Sequence, residues 1–436
     1  MGLYSSASAY AKDTWLPTYN YQLENEVGTP LALLGLSPET ATGIEGRRAF
    51  VKIKVGDSLG QGNVDVGGDF PVPADTTADE ATITLAQLAH TIEYDTHEMA
   101  LLDSLDAAAA PIMAEKMVSA KEANQRDIVR QFFGDGTGIL ANVASGSGSA
   151  LTLDALTTAQ IDRDRYIWVD DANRMRYRVV DATSGASQAG PFTVTDITEA
   201  TNVLTCSASV AAVTANGVLV RDGNWASGGV FRSLEFAGMK AMIADTNTYM
   251  GINRAAAGKG YWKSIVDSNA GVLRPVSDVL IHQILNKMAR RASNGKQASA
   301  MTHLGFANFG VWTAYHQVMQ PGLRYTIDEV PDIGWGSPLP MLGVPLYKEV
   351  HAPRNQINII AKGKENIEFV SAKNKSGGFG TFLEAGGSIF HLVGASGGAQ
   401  GFAARFQSII YGFLGLKTER PRNHGRLDDL SEIAAA

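Results

Sequence analysis

The stretch that most constrains the fold runs from Asp106 to Phe133, DAAAAPIMAEKMVSAKEANQRDIVRQFF, with no glycine inside it and one proline, Pro111, near its start. Met113, Met117, Ala120, Asn124, Ile128 and Phe132 recur at steps of three and four, so they share one stripe of a long amphipathic helix. Lys116, Lys121, Glu122, Arg126 and Arg130 are expected mostly off that stripe. Asp103 or Asp106 can cap the N-terminus, and Pro111 fits in a first turn or at a kink. Three glycines in five positions follow: Gly134, Gly136 and Gly138. A phosphate-cradling loop needs its glycines after a strand and before a helix. These follow a helix, and no GK[ST] completes a Walker motif. Gly134 is therefore expected to be the left-handed residue that closes the helix.

At 436 residues the chain is too long for one ordinary core, so two or three domains are expected. A net charge of −7 argues against a basic nucleic-acid coat. The local basic cluster Lys287, Arg290, Arg291 and Lys296 reads as the solvated face of a helix end. The single cysteine, Cys206, excludes an internal disulfide and a cysteine-based metal site, and it reads as a packing residue. No apolar run is long enough to span a membrane, and no secretory signal opens the chain.

Residues 1–45 scatter Tyr4, Tyr10, Trp15, Tyr19 and Tyr21 among polar residues and read as an arm lying on another surface. Two alternating runs follow. Ala49, Val51, Ile53 and Val55 share one face of the first, and Ala81, Ile83 and Leu85 share one face of the second. The polar, glycine-rich linker between them suits a long hairpin that reaches away from its own body. From Ser145 to about Gly229 the chain turns rich in Thr, Val, Ala and Gly. The runs DRYIWVD, RMRYRVVD, PFTVTDI, NVLTCSA and GVLVRDG there predict an inserted antiparallel β module with hinges at SGSGS and NWASGG. Helices are expected at SLEFAGMKAMIAD, VSDVLIHQILNKMARRA and FANFGVWTAYHQVM. Strands are expected at QASAMTHL, GVPLYKEVHAP, QINIIAK and ENIEFV, with a closing β region after them. The whole reads as α+β.

No catalytic, cofactor or metal site is expected. The eight histidines (His90, His97, His282, His303, His316, His351, His391 and His424) show neither H-E-x-x-H nor paired ligand spacing. No G-x-S-x-G elbow is present. Asp170–Asp171 and Asp428–Asp429 are adjacent carboxylates in turn or tail sequence, which do not make an acid/base pair across a cleft. Trp312 and Tyr315 read as packing residues of one helix.

In order, the aromatic arm, the hairpin FVKIKV…ATITLAQLAHTIEYD, the long helix with its glycine turn, and MLGVPLYKEVHAPRNQINIIAKG resemble the major capsid proteins of tailed bacteriophages. The tail GFLGLKTERPRNHGRLDDL adds to the likeness, which runs from about Tyr10 to Asp429. The resemblance implies a Hong Kong 97-like capsid fold: an N-terminal arm (1–45), an extended loop (46–95), a spine helix with part of a peripheral domain (96–144), the inserted β module (145–229), the peripheral return (230–270), an axial domain (271–400), and closing peripheral strands with a C-terminal tail (401–436).

It implies a non-enzymatic shell subunit without cofactors that forms hexamers and pentamers of an icosahedral head around double-stranded DNA. Its partners would be further copies of itself, a portal protein and DNA held by non-specific contact, with no membrane partner and with room for a decoration protein. Because the chain starts almost directly in the arm, the resemblance implies either a separate scaffolding protein or earlier processing of the N-terminus. The place of action would be the virion, after assembly in the host cytoplasm. The alternative is an encapsulin-like nanocompartment shell, and an enzyme with an unrecognised site stands behind both. Lys52 and Lys54 lie in the hairpin, where some relatives place a cross-linking lysine; with no matched acceptor, no cross-link is inferred.

Overall fold

The glycine-free run is a helix over Ala109–Phe133 in the computed structural model of the chain. That structure describes residues 30–36, 38–40, 44–45, 47–56, 63–64, 68–69, 72, 77–95, 109–154, 167, 175–198, 201–210, 213, 216–226, 231–291, 302–319, 338–372, 381–384, 388–393 and 405–433. The candidate caps Asp103 and Asp106, the pair Asp170–Asp171, His97, Lys296, the residues 1–29 of the arm and most of DRYIWVD lie outside them. The helix has 25 residues and is about 37 Å long. Pro111 is its third residue, where a missing N–H costs no hydrogen bond. Met117, Ala120, Ile128 and Phe132 are buried, as their spacing requires. Arg130 departs from expectation: it too is buried, because two carboxylates receive it.

The glycine turn also differs. Gly134 is not left-handed; its N–H closes a tight turn on the Gln131 carbonyl at 3.0 Å. Gly136 (φ +79°) and Gly138 (φ +69°) take the left-handed positions. A Cβ on Gly136 would lie 2.7 Å from the Cα of Ala237, and one on Gly238 would lie 2.1 Å from the Gln131 oxygen. Two backbones thus meet where the helix ends, which explains the glycines better than a cap does. The same approach shortens the helix expected around SLEFAGMKAMIAD to Met239–Met242.

The helix end joins two sheets. Phe132 lies 6.1 Å from Phe369 and Phe133 lies 5.8 Å from Phe306, between ring centroids. Phe369 belongs to a six-stranded sheet built on the central strand Arg405–Lys417. Ala86–Asp95 flanks one edge of that strand; Phe390–Val393, Thr381–Phe382 and Glu368–Ser371 share the other. Phe406 accordingly faces both Tyr94 and Leu392. Pro38–Thr40 adds a parallel strand beside Glu368–Ser371.

Phe306 belongs to a mixed sheet with the order Ile265–Asp267, Gly425–Leu427, Ile357–Ala361, His303–Ala307, Val344–Lys348, Leu339–Met341. Helices Asp278–Arg291 and Phe309–Met319 bury Ile281, Ile284, Val311 and Tyr315 against Ile357, Ile359 and Leu427 on one face. Leu304, Phe306 and Ile360 join the core around the long helix on the other. Of QASAMTHL only the last three residues are described; a strand runs over His303–Ala307, and the helix after it starts at Phe309, where the Asn308 side chain accepts the Gly310 N–H at 3.1 Å. Residues expected together in 271–400 are divided between the two sheets, and the expected tail supplies an inner strand, Gly425–Leu427.

The β module is a seven-stranded antiparallel sheet with the order Val194–Thr198, Val203–Cys206, Ala150–Leu153, Ile139–Ser147, Gly217–Arg221, Tyr177–Asp181, Ser187–Phe192. Its first and last strands are consecutive in the chain, separated only by Thr193, so the sheet folds back on itself around its own core of Leu140, Val143, Tyr177, Phe192, Leu204 and Leu219. Thr193 and Ser207 exchange hydrogen bonds across the corner, each 2.9 Å. SGSGS is not a hinge: it ends the central strand and turns at Gly148 and Ser149 into the next one. The module therefore begins at Ile139, five residues beyond the helix-terminal glycine.

Candidate assembly surface

Thr77–Thr84 and Ala86–Asp95 form one extended ribbon interrupted only at Leu85. Its first half pairs with Arg48–Gly56 in a hairpin running from Arg48↔Thr84 to Gly56↔Thr77. Ala49, Ile53, Ala81, Ile83 and Leu85 are buried while Arg48, Lys52, Glu80 and Thr84 are exposed, the alternation that a half-buried strand pair demands. Lys259 forms an ion pair with Asp79, and the Tyr261 hydroxyl donates to the same carboxylate. Those hydrogen bonds hold the Asp79 carboxyl below its usual range. Between the two hairpin strands in sequence, Val64 is 39 % exposed and Val72 is 84 % exposed.

A cleft of about 740 Å³ opens where the ribbon passes from hairpin to sheet, lined by Arg47, Leu85, Gly136, Glu235, Tyr249 and Gly415 among others. At its edge the Tyr249 hydroxyl donates to the Leu416 carbonyl at 2.8 Å, and burial pushes that phenol up. Beside it a four-member charge network ties the inserted sheet to the long helix. Arg130 pairs with Glu235 and with Asp127, and Arg221 of the inserted sheet also reaches Asp127. Gln131 and Asn224 donate to the two carboxylates at 2.8 and 2.7 Å. Burial pushes the Asp127 carboxyl upward, but Arg130 and Arg221 outweigh it and hold the group below its usual range.

Several other residues named in the sequence reading are buried or paired. His424 is fully buried; its Nδ1 accepts the Ala361 N–H at 3.2 Å and its Nε2 donates to the Asn366 carbonyl at 2.9 Å. Asp428 and Asp429 are not tail residues. Asp428 pairs with Arg426, and Asp429 accepts from the Ser268 hydroxyl (2.8 Å) and the N–H groups of Asn269 (2.6 Å) and Gly271 (3.1 Å). Cys206 is buried in the module core, and burial pushes its thiol up to about 12. Trp312 and Tyr315 are buried in the helix–sheet layer, with Trp312 stacked on His316 at 5.5 Å. Lys287, expected as part of a solvated basic face, forms an ion pair with Asp267. Among the described residues no group of three His, Cys, Asp or Glu side chains is placed to hold a metal, and no helix is long and apolar enough to cross a membrane. The tight network around Arg130 was the part that sequence reading missed, since its members are 94 and 105 residues apart.

No known family and no curated protein matches the sequence. Solved structures similar to the chain include phage capsid proteins and an encapsulin. A chain of the cyanophage A-1(L) capsid aligns at 12% identity over 91% of each chain, with a TM-score of 0.48. A chain of the satellite phage P4 procapsid aligns at 8% identity over 95% of this chain and 90% of that one, TM-score 0.42. A chain of the SrpI encapsulin complex from Synechococcus elongatus aligns at 9% identity over 90% and 85%, TM-score 0.41.

Proposed function

We propose that the chain is the major capsid protein of a phage head: a shell subunit that forms hexamers and pentamers around double-stranded DNA and catalyses nothing. The observation that carries this reading is the ribbon of residues 77–95. It belongs to two sheets at once, is braced by a 25-residue helix, and leads from a hairpin whose outlying Val64 and Val72 are exposed. A monomer gains nothing from apolar residues held away from its core, whereas a shell subunit covers them with a neighbour. Each such contact repeats around a closed shell, so modest interfaces give a stable particle.

On this reading the hairpin is the extended loop, Ala109–Phe133 the spine helix, and the mixed sheet the core of the axial domain. The sheet on Arg405–Lys417 is the peripheral domain. A scaffolding protein and a portal protein are its assembly partners, a decoration protein is an optional one, and the virion is its place. Electron microscopy and sedimentation of the purified protein test the reading: closed shells are expected, and a dispersed small oligomer under all assembly conditions would reject it. Native particles that hold protein cargo and no DNA would replace the head by a nanocompartment.

A further inference from the structure

Residues 405–433 enter the middle of both sheets. Arg405–Lys417 pairs with Ala86–Asp95 over ten consecutive positions, from Arg405↔Asp95 to Leu414↔Ala86. Its other edge takes Glu368–Ser371, Thr381–Phe382 and Phe390–Val393. Without it, Ala86–Asp95, Thr381–Phe382 and Phe390–Val393 have no strand partner among the described residues. Gly425–Leu427 plays the same part in the mixed sheet, where it lies between Ile265–Asp267 and Ile357–Ala361. Beyond it the chain is stitched to the same layer. The Asp429 carbonyl accepts the Arg274 N–H at 2.7 Å, the Leu430 N–H donates to the Asn355 carbonyl at 2.8 Å, and Glu432 pairs with Arg354.

The same stretch closes the body between the sheets. The Leu416 carbonyl accepts the Tyr249 hydroxyl, while Arg422 Nε and Arg426 Nη1 donate to the carbonyls of Tyr261 (3.0 Å) and Ile243 (2.9 Å). Those two carbonyls adjoin Trp262 and Met242, whose own carbonyls hold the fully buried Arg254. Ile410, Leu414, Leu416, Leu427 and Leu430 are buried as well. The inserted sheet is built differently: all seven of its strands lie between Ile139 and Arg221, so it needs nothing downstream.

Synthesis delivers the N-terminal strands first. Roughly 300 residues separate Asp95 from Arg405, so at about 5–20 residues per second the first strand waits about 15–60 s for its partner. Helices and hairpins form within microseconds. Delivery of the partner strand, and not local folding, therefore sets when the two sheets close. We propose that residues 405–433 are a strap whose arrival switches the subunit into its assembling form. Until they leave the ribosomal tunnel neither sheet is complete, the surface that a neighbour would meet does not exist, and a growing chain cannot join a shell. The assembly half of this rests on the shell reading above; the folding half does not.

Ribosome-stalled full chains test it. Stalling directly after residue 436 keeps the strap inside the tunnel, and a long flexible Gly/Ser linker before the stall sets it free. Trypsin cleavage after Arg254 is the readout, because that site is fully buried once the strap is in place. The linker chain should resist as the free protein does, and the directly stalled chain should be cut at least tenfold faster. Free subunits under assembling conditions should capture the linker chain and leave the other behind. Resistance in both stalled chains overturns the strap, since the body would then close without it. Cleavage in both overturns it too, since arrival of the strap would close nothing. Equal capture of the two chains overturns the assembly half. A protein that never forms shells, with cleavage still set by the linker, overturns the shell reading and leaves the folding switch standing.

Discussion

Arg254 donates from Nη2 to the Met242 carbonyl at 2.6 Å, and among the described residues no carboxylate pairs with this fully buried guanidinium. Its other donors go to the carbonyls of Trp262 (2.8 Å) and Ala241 (2.9 Å) and to Asn247 Oδ1 (2.8 Å), over the face of Tyr249. Burial pulls the group down to about 10, which still leaves a cation at neutral pH. One planar fork thus ties the helix Met239–Met242 to the turn that carries Trp262. An ammonium cannot reach all four acceptors. Arg254→Lys should therefore cost about 3 kcal/mol, and Arg254→Ala somewhat more, through the orphaned carbonyls. Urea unfolding of the isolated subunit measures it; a lysine variant within about 1 kcal/mol of wild type would refute this role.

The glycine turn separates two effects. Gly136→Ala meets both the left-handed backbone and the Ala237 Cα at 2.7 Å, and should cost about 2–4 kcal/mol. Gly134→Ala meets only the Gln131 oxygen at 3.2 Å and should cost about 1 kcal/mol or less. Comparable losses at both positions would show that the cap, rather than the close approach, sets the turn. The helix itself was legible because its stripe repeats over 25 residues. Which glycine turns left-handed was not, because Ala237 and Gly238 decide it from a hundred residues away.

The inserted sheet shows the same division. Its strands after Ser149 follow from alternation and turn residues, but the sequence places the border inside a hairpin. Ile139–Ser147 pairs with both Ala150–Leu153 and Gly217–Arg221, and without it the sheet splits in two. Expressed alone, residues 139–226 should melt cooperatively and give dispersed amide NMR signals. Residues 150–225 should give a random-coil spectrum. A folded 150–225 fragment would contradict the central place of that strand.

Acid should weaken the subunit before its carboxylates titrate. Burial holds His424 at about 3, and it also lowers His303 and His90. A depressed histidine contributes stability that is complete above the unfolded value near 6.5 and is lost as pH falls from there toward the folded value. The carboxylates held low, Asp79, Asp127, Asp135 and Asp267, act only near and below about pH 4. Burial raises the Asp428 carboxyl, which adds stability as pH falls and so offsets rather than causes a loss; between pH 7.5 and 5.5 the loss is a histidine effect, roughly 1 kcal/mol for His424 alone. Urea midpoints at the two pH values check this, and His424→Gln should flatten the dependence. Equal midpoints in wild type would contradict a neutral, buried His424.

Shortening the hairpin asks where its residues find their stability. Gly56 and Thr77 are register partners, so residues 57–76 can be replaced by Asn-Gly without breaking the ladder below. Anchors among the described residues lie on the retained side: Asp79 with Lys259 and Tyr261, the Thr82 N–H on the Met250 carbonyl at 2.9 Å, and Leu85 on Arg47. The dissociated subunit should keep its circular dichroism and melting temperature. The removed segment carries Val64 and Val72, exposed in the single chain, and a two-stranded hairpin by itself is only marginally stable in water. If a neighbour covers it in a shell, the shortened protein should accumulate as capsomers or monomers in sedimentation, with few closed particles in micrographs. Full-sized particles with wild-type heat stability would mean that residues 57–76 bear no intersubunit load.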